Sequence, residues 1–155
     1  MSNESVIRNK MKDFIATKVH NDVLQLLEYI ANVVMETINS GIIPVVTGNL
    51  QDSTGIGIYH NGVMKRFVPN QIAVVPRTDI YPAGLTTRDV VWGHNILQEA
   101  INKGALRYSK GYVLVVLSAM PYAALVDVKH GYFDNQIVSE LNSTVRSLVT
   151  QFKRI

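Results

Sequence analysis

The chain has 155 residues, enough for a single domain with one buried core, and its 47% hydrophobic and 17% charged residues exclude an intrinsically disordered protein. The 15 Lys and Arg against 12 Asp and Glu give a net charge of +3, too small for nonspecific binding of nucleic acid by charge alone. The absence of cysteine excludes disulfides, thiolate nucleophiles and iron–sulfur clusters, and the low charge predicts that partners cover part of the surface.

A long amphipathic helix is predicted from Ser5 to Asn39, where neither proline nor glycine occurs and apolar residues recur at helical spacing. At 1.5 Å per residue it spans about 50 Å, more than a compact domain of this size needs, so we expect part of it to reach a neighbouring subunit. Ser40 and Gly41 are expected to end it. Its first half has a basic polar face, formed by Arg8, Lys10, Lys12 and Lys18.

A β-hairpin is predicted from Thr54 to Val68, because Asn61 and Gly62 separate two strand-like runs and both tolerate the positive φ of a type I′ turn. A further strand is expected from Gln71 to Val75, followed by an irregular loop from Pro76 to Thr87.

The second half of the chain is expected to contain a middle helix from Thr87 to Lys103, ended by Gly104, and a buried valine-rich strand from Tyr112 to Leu117. A helical turn from Tyr122 to Val126 and a bend from Asp127 to Gly131 come next. Asp134 is then expected to cap a last helix with one apolar face, formed by Ile137, Val138, Leu141, Val145, Leu148, Val149 and Phe152.

These elements predict an α+β fold in one domain: a long N-terminal helix and a C-terminal helix packed on an antiparallel sheet of about four strands, with an inserted middle helix. Within it, residues 1–40 form the long helix, 41–75 the corner and sheet, 76–110 the loop and inserted helix, and 111–155 the strand, turn and last helix. We see neither a secretion signal nor the roughly 20 apolar residues of a membrane span, so we expect no membrane partner.

Enzymatic and cofactor chemistry finds little support in the residue spacings. Between Gly48 and Gly57, Gly55 is followed by Ile56 where a phosphate-binding loop needs Lys and then Ser or Thr. The four histidines, at positions 20, 60, 94 and 130, include no pair at the i, i+3 or i, i+4 spacing of a helical metal site, and His60 and His130 are expected to be exposed. No serine lies in a nucleophile-elbow pattern. We therefore expect a protein without catalytic residues, metal or cofactor.

Nucleic-acid binding is a second interpretation, because Lys65 and Arg66 lie on the hairpin and basic residues line the first helix. Strand alternation puts Lys65 and Phe67 on one face and Arg66 on the other, which favours a mixed strand with Phe67 in the core. The alternative function that these basic residues indicate is a small nucleic-acid-binding module that uses Lys65, Arg66 and the basic helix face.

Residues 44–53, here the first motif, have Pro44, Thr47, Gly48, Leu50 and Ser53 in the pattern Pro-x-x-Thr-Gly-x-Leu-x-x-Ser. This pattern resembles a signature of one family, the head-to-tail joining and tail-completion (neck) proteins of tailed bacteriophages. Residues 122–131, the second motif, resemble its pattern Tyr-Ala-x-x-Val-Glu-x-Gly, through Tyr122, Ala123, Val126, Asp127 and Gly131. Asp127 replaces the glutamate, Gly131 comes four residues after it instead of two, and the stretch from Pro69 to Lys110 resembles an insertion.

The resemblance implies a structural virion protein, assembled in the host cytoplasm, that forms a homo-oligomeric ring at the portal neck or tail end. Its implied partners are portal, adaptor or other neck and tail proteins, and genomic DNA that passes without sequence-specific contact. The motif residues also have a local interpretation: Pro44, Thr47, Gly48 and Ser53 shape a corner between helix and strand. Tyr122 and Asp127 either cap or pair within one subunit or make a contact between subunits.

Overall fold

The computed structural model describes residues 3–43, 49–70, 87–104 and 110–153. The order along the chain is helix α1, a wide π-helical turn at Ile38–Ile42, helix α2, strands β1 and β2, helix α3, strand β3, helix α4, a second π-helical turn at Phe133–Ile137, and helix α5. Their bounds are α1 Asn3–Thr37, α2 Asn49–Asp52, β1 Thr54–His60, β2 Val63–Pro69, α3 Thr87–Gly104, β3 Tyr112–Ser118, α4 Ala123–His130 and α5 Val138–Phe152.

The predicted long helix is confirmed, and its two halves lie in different surroundings. From Leu24 onward one face of α1 is buried in the main core, through Leu24, Ile30, Ala31, Val34 and Met35. Every residue from Val6 to Val19 is exposed. Gly41 has a φ of 86°, so the chain leaves the helical path at the glycine predicted to end it. No helix in the described ranges is long and apolar enough to cross a lipid bilayer.

The predicted hairpin is confirmed in its strands and its turn. Asn61 and Gly62, with φ of 50° and 79°, connect β1 to β2 in the positive-φ conformation expected of Asn-Gly. The pairing shifts by one residue between Ile58, opposite Arg66, and Tyr59, opposite Met64. Lys65 is therefore the extra residue of a β-bulge, which alternation alone did not predict.

The described sheet has three antiparallel strands in the order β2-β1-β3, so the expected count of about four is wrong for this part of the chain. The further strand predicted from Gln71 to Val75, and the loop up to residue 86, lie outside the described residues. The central strand β1 is almost entirely buried, whereas β3, an edge strand, is half-buried along its length instead of fully buried as expected.

Helices cover both faces of this small sheet. On one face Ile56 and Ile58 join the main core with α1 and the C-terminal elements. On the other face Tyr59 packs with Leu97 and Ile101 of α3, the predicted middle helix, and its hydroxyl donates to the Ile101 carbonyl oxygen at 2.5 Å. The expected α+β architecture is therefore present, with its sheet enclosed between helices.

The C-terminal third differs from expectation in two places. The helical turn predicted at Tyr122 continues as helix α4 through the region expected to bend, and ends at Gly131 with a φ of 63°. Asp134 does not cap α5, because the backbone already has helical angles from Tyr132 onward. The acceptor that caps this segment comes from elsewhere in the chain and is described below. The apolar face of α5 is only partly covered, since Leu141 and Leu148 are half-buried while Val145 and Val149 are exposed.

Candidate functional site: the motif corner and two exposed apolar surfaces

The described part of the first motif forms a buried corner between α2 and β1. Leu50 is buried in the main core. Ser53 donates from its hydroxyl to the Leu50 carbonyl oxygen at 2.9 Å, and its backbone N–H donates to the Asn49 carbonyl oxygen at 2.9 Å. Leu50 and Ser53 therefore have structural roles, as the local interpretation predicts. Pro44, Thr47 and Gly48 lie outside the described residues.

A chain of hydroxyl groups connects this corner to the second motif. The Thr54 hydroxyl lies 2.9 Å from the Leu50 carbonyl oxygen and 2.9 Å from the Ser118 hydroxyl at the end of β3. The Tyr132 hydroxyl, immediately after the second motif, donates to Ser118 at 3.1 Å. Because Thr54 and Tyr132 are fully buried, these bonds satisfy polar groups that would otherwise be costly to bury. The two motifs, about 70 residues apart in sequence, thus meet across one strand end.

Residues of the second motif hold α4 against this corner. Ala123 is buried, and Tyr122 and Val126 pack half-buried against the main core. Gly131 ends α4: its N–H donates to the Asp127 carbonyl oxygen at 2.6 Å. Gly131 has a φ of 63°, a left-handed conformation that favours glycine at this position.

Asp127 caps the start of the last helical segment from a distance. One carboxylate oxygen accepts a hydrogen bond from the Phe133 N–H at 2.6 Å, and the other lies 3.3 Å from the Asp134 N–H. A carboxylate at a helix N-terminus satisfies free N–H groups and interacts favourably with the helix dipole. The interpretation in which Asp127 caps within its own subunit is therefore the one that the geometry favours, and Asp127 takes the role expected of Asp134.

Burial is the main cause that raises the pKa of Tyr132, and the nearby Asp127 and Tyr122 raise it further, while the hydrogen bond to Ser118 acts in the opposite direction. The phenol is therefore held in its neutral form. In that form it keeps the proton that it donates to Ser118.

Gly55 and Gly57 of the glycine-rich stretch lie within β1, on the face that α3 covers. A Cβ on Gly55 would lie 2.7 Å from Leu97 Cδ2 and 3.0 Å from the Val68 carbonyl oxygen. A Cβ on Gly57 would lie 2.9 Å from the Tyr59 ring. Close packing of α3 on the sheet therefore explains Gly55, and the Tyr59 ring, which lies against Gly57, explains Gly57.

The basic residues of the hairpin have contacts within the chain. Arg66 forms an ion pair with Glu28 of α1, through its Nε, and donates to the Lys65 carbonyl oxygen at 2.8 Å. Lys65 is half-buried at the bulge, and Phe67 packs in the cluster beneath α3 as alternation predicted. This pairing offsets part of the positive charge that the nucleic-acid interpretation assigns to the hairpin.

A cluster that the sequence did not reveal joins α1 to the far end of the sheet. The His60 and Tyr112 rings stack with centroids 4.2 Å apart, and the His20 ring lies 4.7 Å from that of His60. His20 Nδ1 lies 2.5 Å from the Tyr112 hydroxyl. His60 is thus half-buried and not exposed as expected, and this desolvation, followed by the charges of His20 and Lys65, lowers the pKa of His60. His130 is exposed, as expected.

One exposed apolar surface lies on the first half of α1. We call residues 6–19 the projecting segment, and its apolar stripe comprises Ile7, Met11, Phe14, Ile15 and Val19, each 54% to 70% exposed. Residues 6 to 19 are exposed on every side of the helix, so this part of α1 extends past the core that buries its later turns. Bare apolar patches of this kind mark interaction surfaces.

A second exposed apolar surface lies on α4. Leu125 and Val128, one helical turn apart, are 75% and 89% exposed. Beside them is a shallow recess of about 340 Å³, here the α4 recess, whose lining includes Ala124, Val128, Phe133, Asp127 and Asp134. The second motif thus has a buried side, which builds the corner, and an apolar outer side.

The described residues combine one capped, buried corner with two apolar surfaces. They contain no group of three or more His, Asp or Glu side chains placed to hold a metal ion. Such surfaces suit contact with protein better than they suit a polar ligand. Comparisons with protein-family models, with curated proteins and with solved structures found no match to the chain.

Proposed function

We propose that this protein is a structural virion protein of a tailed bacteriophage, which assembles into a ring at the portal neck or tail end and joins head to tail around the DNA conduit. It acts by assembly and not by catalysis. Its partners are further copies of itself and the portal, adaptor or tail proteins above and below the ring. The two motifs are the basis for naming this family.

The observation that carries the proposal is the bare apolar stripe of the projecting segment. A side chain such as Phe14, 70% exposed on an extended helix, contributes little to the stability of the isolated chain. Covering it in a complex removes that apolar area from water, which favours association. A subunit that reaches beyond its own core with such a helix is suited to an assembly of several copies.

The low net charge supports the same function. Each DNA phosphate that a basic side chain neutralises adds to the affinity for DNA. A ring through which DNA passes therefore needs few such contacts, because weak binding lets the DNA move. The net charge of +3 and the ion pair of Arg66 with Glu28 are compatible with weak, sequence-independent contact.

The proposal is tested by measuring the mass of the purified chain by size-exclusion chromatography with light scattering, and by negative-stain electron microscopy of the same fractions. We expect a discrete oligomer of several 17.3 kDa chains, visible as closed rings. A monomer at the highest concentration that stays in solution contradicts the proposal.

Binding of duplex DNA at several salt concentrations separates the alternative function. A monomer whose affinity falls steeply with salt, and falls further on replacement of Lys65 and Arg66 by alanine, would identify a nucleic-acid-binding module. We expect weak binding that this double substitution leaves almost unchanged.

A further inference from the structure

The apolar stripe and the α4 recess belong to the same chain, yet both are bare in a single copy. We propose that the stripe of one copy docks on the α4 recess of a second copy, with Phe14 entering the recess. This inference rests on the proposed assembly into rings and names the joint between neighbouring subunits. The projecting segment lies on a helix without proline or glycine, so no hinge is available to fold it back onto its own α4.

The spacing of the stripe argues against pairing of two projecting segments with each other. Ile7, Met11, Ile15 and Val19 recur every four residues. In a coiled coil the apolar residues recur at a mean spacing of 3.5 residues. A coiled coil that used Met11 and Phe14 would therefore need apolar residues at positions 18 and 21, where the chain has Lys18 and Asn21. A row with a spacing of four instead packs into the grooves of a helix that crosses it steeply, the commonest arrangement of helices in globular proteins.

The α4 surface offers an apolar row of the same spacing. Ala124 and Val128, four residues apart, are exposed on α4 and line the recess of about 340 Å³ together with Phe133, and Leu125 adds a further exposed apolar side chain beside them. Asp134 lies at the recess and is exposed, while Lys10 lies beside Phe14 in the projecting segment. Docking can therefore bring charges of opposite sign together at the edge of the apolar contact, which favours the correct orientation.

This joint uses two different surfaces, so each copy presents one stripe and one recess. Contacts of this type link copies head to tail, and the series closes into a ring when the rotation between neighbours allows it. A substitution that disrupts either surface should therefore prevent the head-to-tail contacts from continuing, while the unchanged surface of the same copy can still bind.

The test uses two full-length variants, Phe14→Asp in the stripe and Val128→Asp beside the recess. Because both side chains are exposed, we expect both dissociated chains to keep a folded core, with the same cooperative thermal unfolding. We expect either substitution alone to reduce the mass measured by light scattering to that of one chain, 17.3 kDa. Val63→Asp is the matched control, since Val63 is an exposed valine on β2 outside both surfaces and its replacement should leave the oligomer intact.

Mixing the two variants gives the decisive measurement. The Val128→Asp chain keeps its stripe and the Phe14→Asp chain keeps its recess, so we expect a complex of one copy of each that grows no further. If Phe14→Asp dissociates the oligomer and Val128→Asp does not, the stripe docks elsewhere and the inference is wrong.

Rings that survive both substitutions also overturn this joint, yet leave the proposed function standing. A wild-type chain that is already monomeric overturns both. If the rings survive Phe14→Asp and the stripe instead binds a different virion protein, the partner of the stripe is that protein. The inference that a second copy covers the stripe is then wrong.

Discussion

At the scale of single residues, Asp127 shows how an acidic residue of a motif can serve the fold. Replacing it with alanine leaves the N–H groups of Phe133 and Asp134 without their acceptor. We expect Asp127→Ala to lower the free energy of unfolding, measured in urea, by about 1 kcal/mol, the usual contribution of a helix cap. Asp127→Asn keeps one acceptor oxygen and should lose less.

The same two variants decide between a cap and a contact between subunits. If Asp127→Ala dissociates an oligomer but leaves the free energy of unfolding of the monomer unchanged, Asp127 acts between copies and the capping role is wrong. Loss of stability with unchanged assembly supports the cap.

Tyr132 gives a prediction for alkaline pH. Burial raises the pKa of its phenol above the ordinary value of about 10, so the folded state holds the proton more strongly than the unfolded state. Above about pH 10 the unfolded chain ionises first, and the stability that the raised pKa provides is lost as the pH increases.

We therefore expect the free energy of unfolding of the wild type to fall more steeply above pH 10 than that of Tyr132→Phe. At neutral pH this substitution should cost about 1 kcal/mol, because the Ser118 hydroxyl loses its hydrogen bond to Tyr132. Tyr29→Phe, at an exposed tyrosine, is the control. Parallel pH profiles for all three proteins would contradict the assignment of the alkaline loss of stability to Tyr132.

At the scale of elements, the distance between α3 and the sheet depends on Gly55. A methyl group at this position would lie 2.7 Å from Leu97 Cδ2 and 3.0 Å from a backbone oxygen, so α3 or β2 would have to shift. We expect Gly55→Ala to lower the free energy of unfolding by about 1 to 3 kcal/mol, as overpacking of a core does.

A double variant checks the cause of that loss. In a Leu97→Ala background the leucine methyl groups are absent, so adding Gly55→Ala should cost clearly less than it does in the wild type. Additive effects of the two substitutions would place the strain elsewhere, for example at the Val68 carbonyl oxygen.

Elements with strong local signals were predictable from the sequence, and those set by distant contacts were not. Uninterrupted apolar periodicity predicted α1, and Asn61-Gly62 predicted the hairpin with its turn conformation. The bulge at Lys65 was missed because it appears only when β2 pairs with β1. Similarly, Asp134 looked like a cap in sequence, whereas the acceptor in space comes from Asp127.

The candidate site likewise contains residues that the sequence predicted and contacts that it did not. The motifs identified Leu50, Ser53, Ala123 and Asp127. They did not reveal the hydroxyl chain between the two motif regions, because Thr54, Ser118 and Tyr132 come together only across the end of the sheet. The His20, His60 and Tyr112 cluster needed α1 to be placed against that sheet. Residue spacing contains no information on such contacts.

At the scale of the whole molecule, helix α1 has one half in the core and one half that only the proposed assembly would cover. From Leu24 onward α1 is held by the core, while residues 6–19 have few tertiary contacts to hold them in an isolated chain. A helical segment of this length is only marginally stable in water without packing partners. The second copy therefore supplies, in the proposed ring, the packing that the first half of the helix lacks.

Hydrogen exchange measured on the assembled wild type and on monomeric Phe14→Asp tests this division of the helix. In the monomer we expect amides of residues 6–19 to open at about 0 to 1 kcal/mol, near the limit for fraying ends, while those from Leu24 to Thr37 approach the global free energy of unfolding. In the assembly the first group should become protected and the second should change little. Amides of residues 6–19 that stay as open in the assembly as in the monomer would mean that the stripe of one copy is not covered by another.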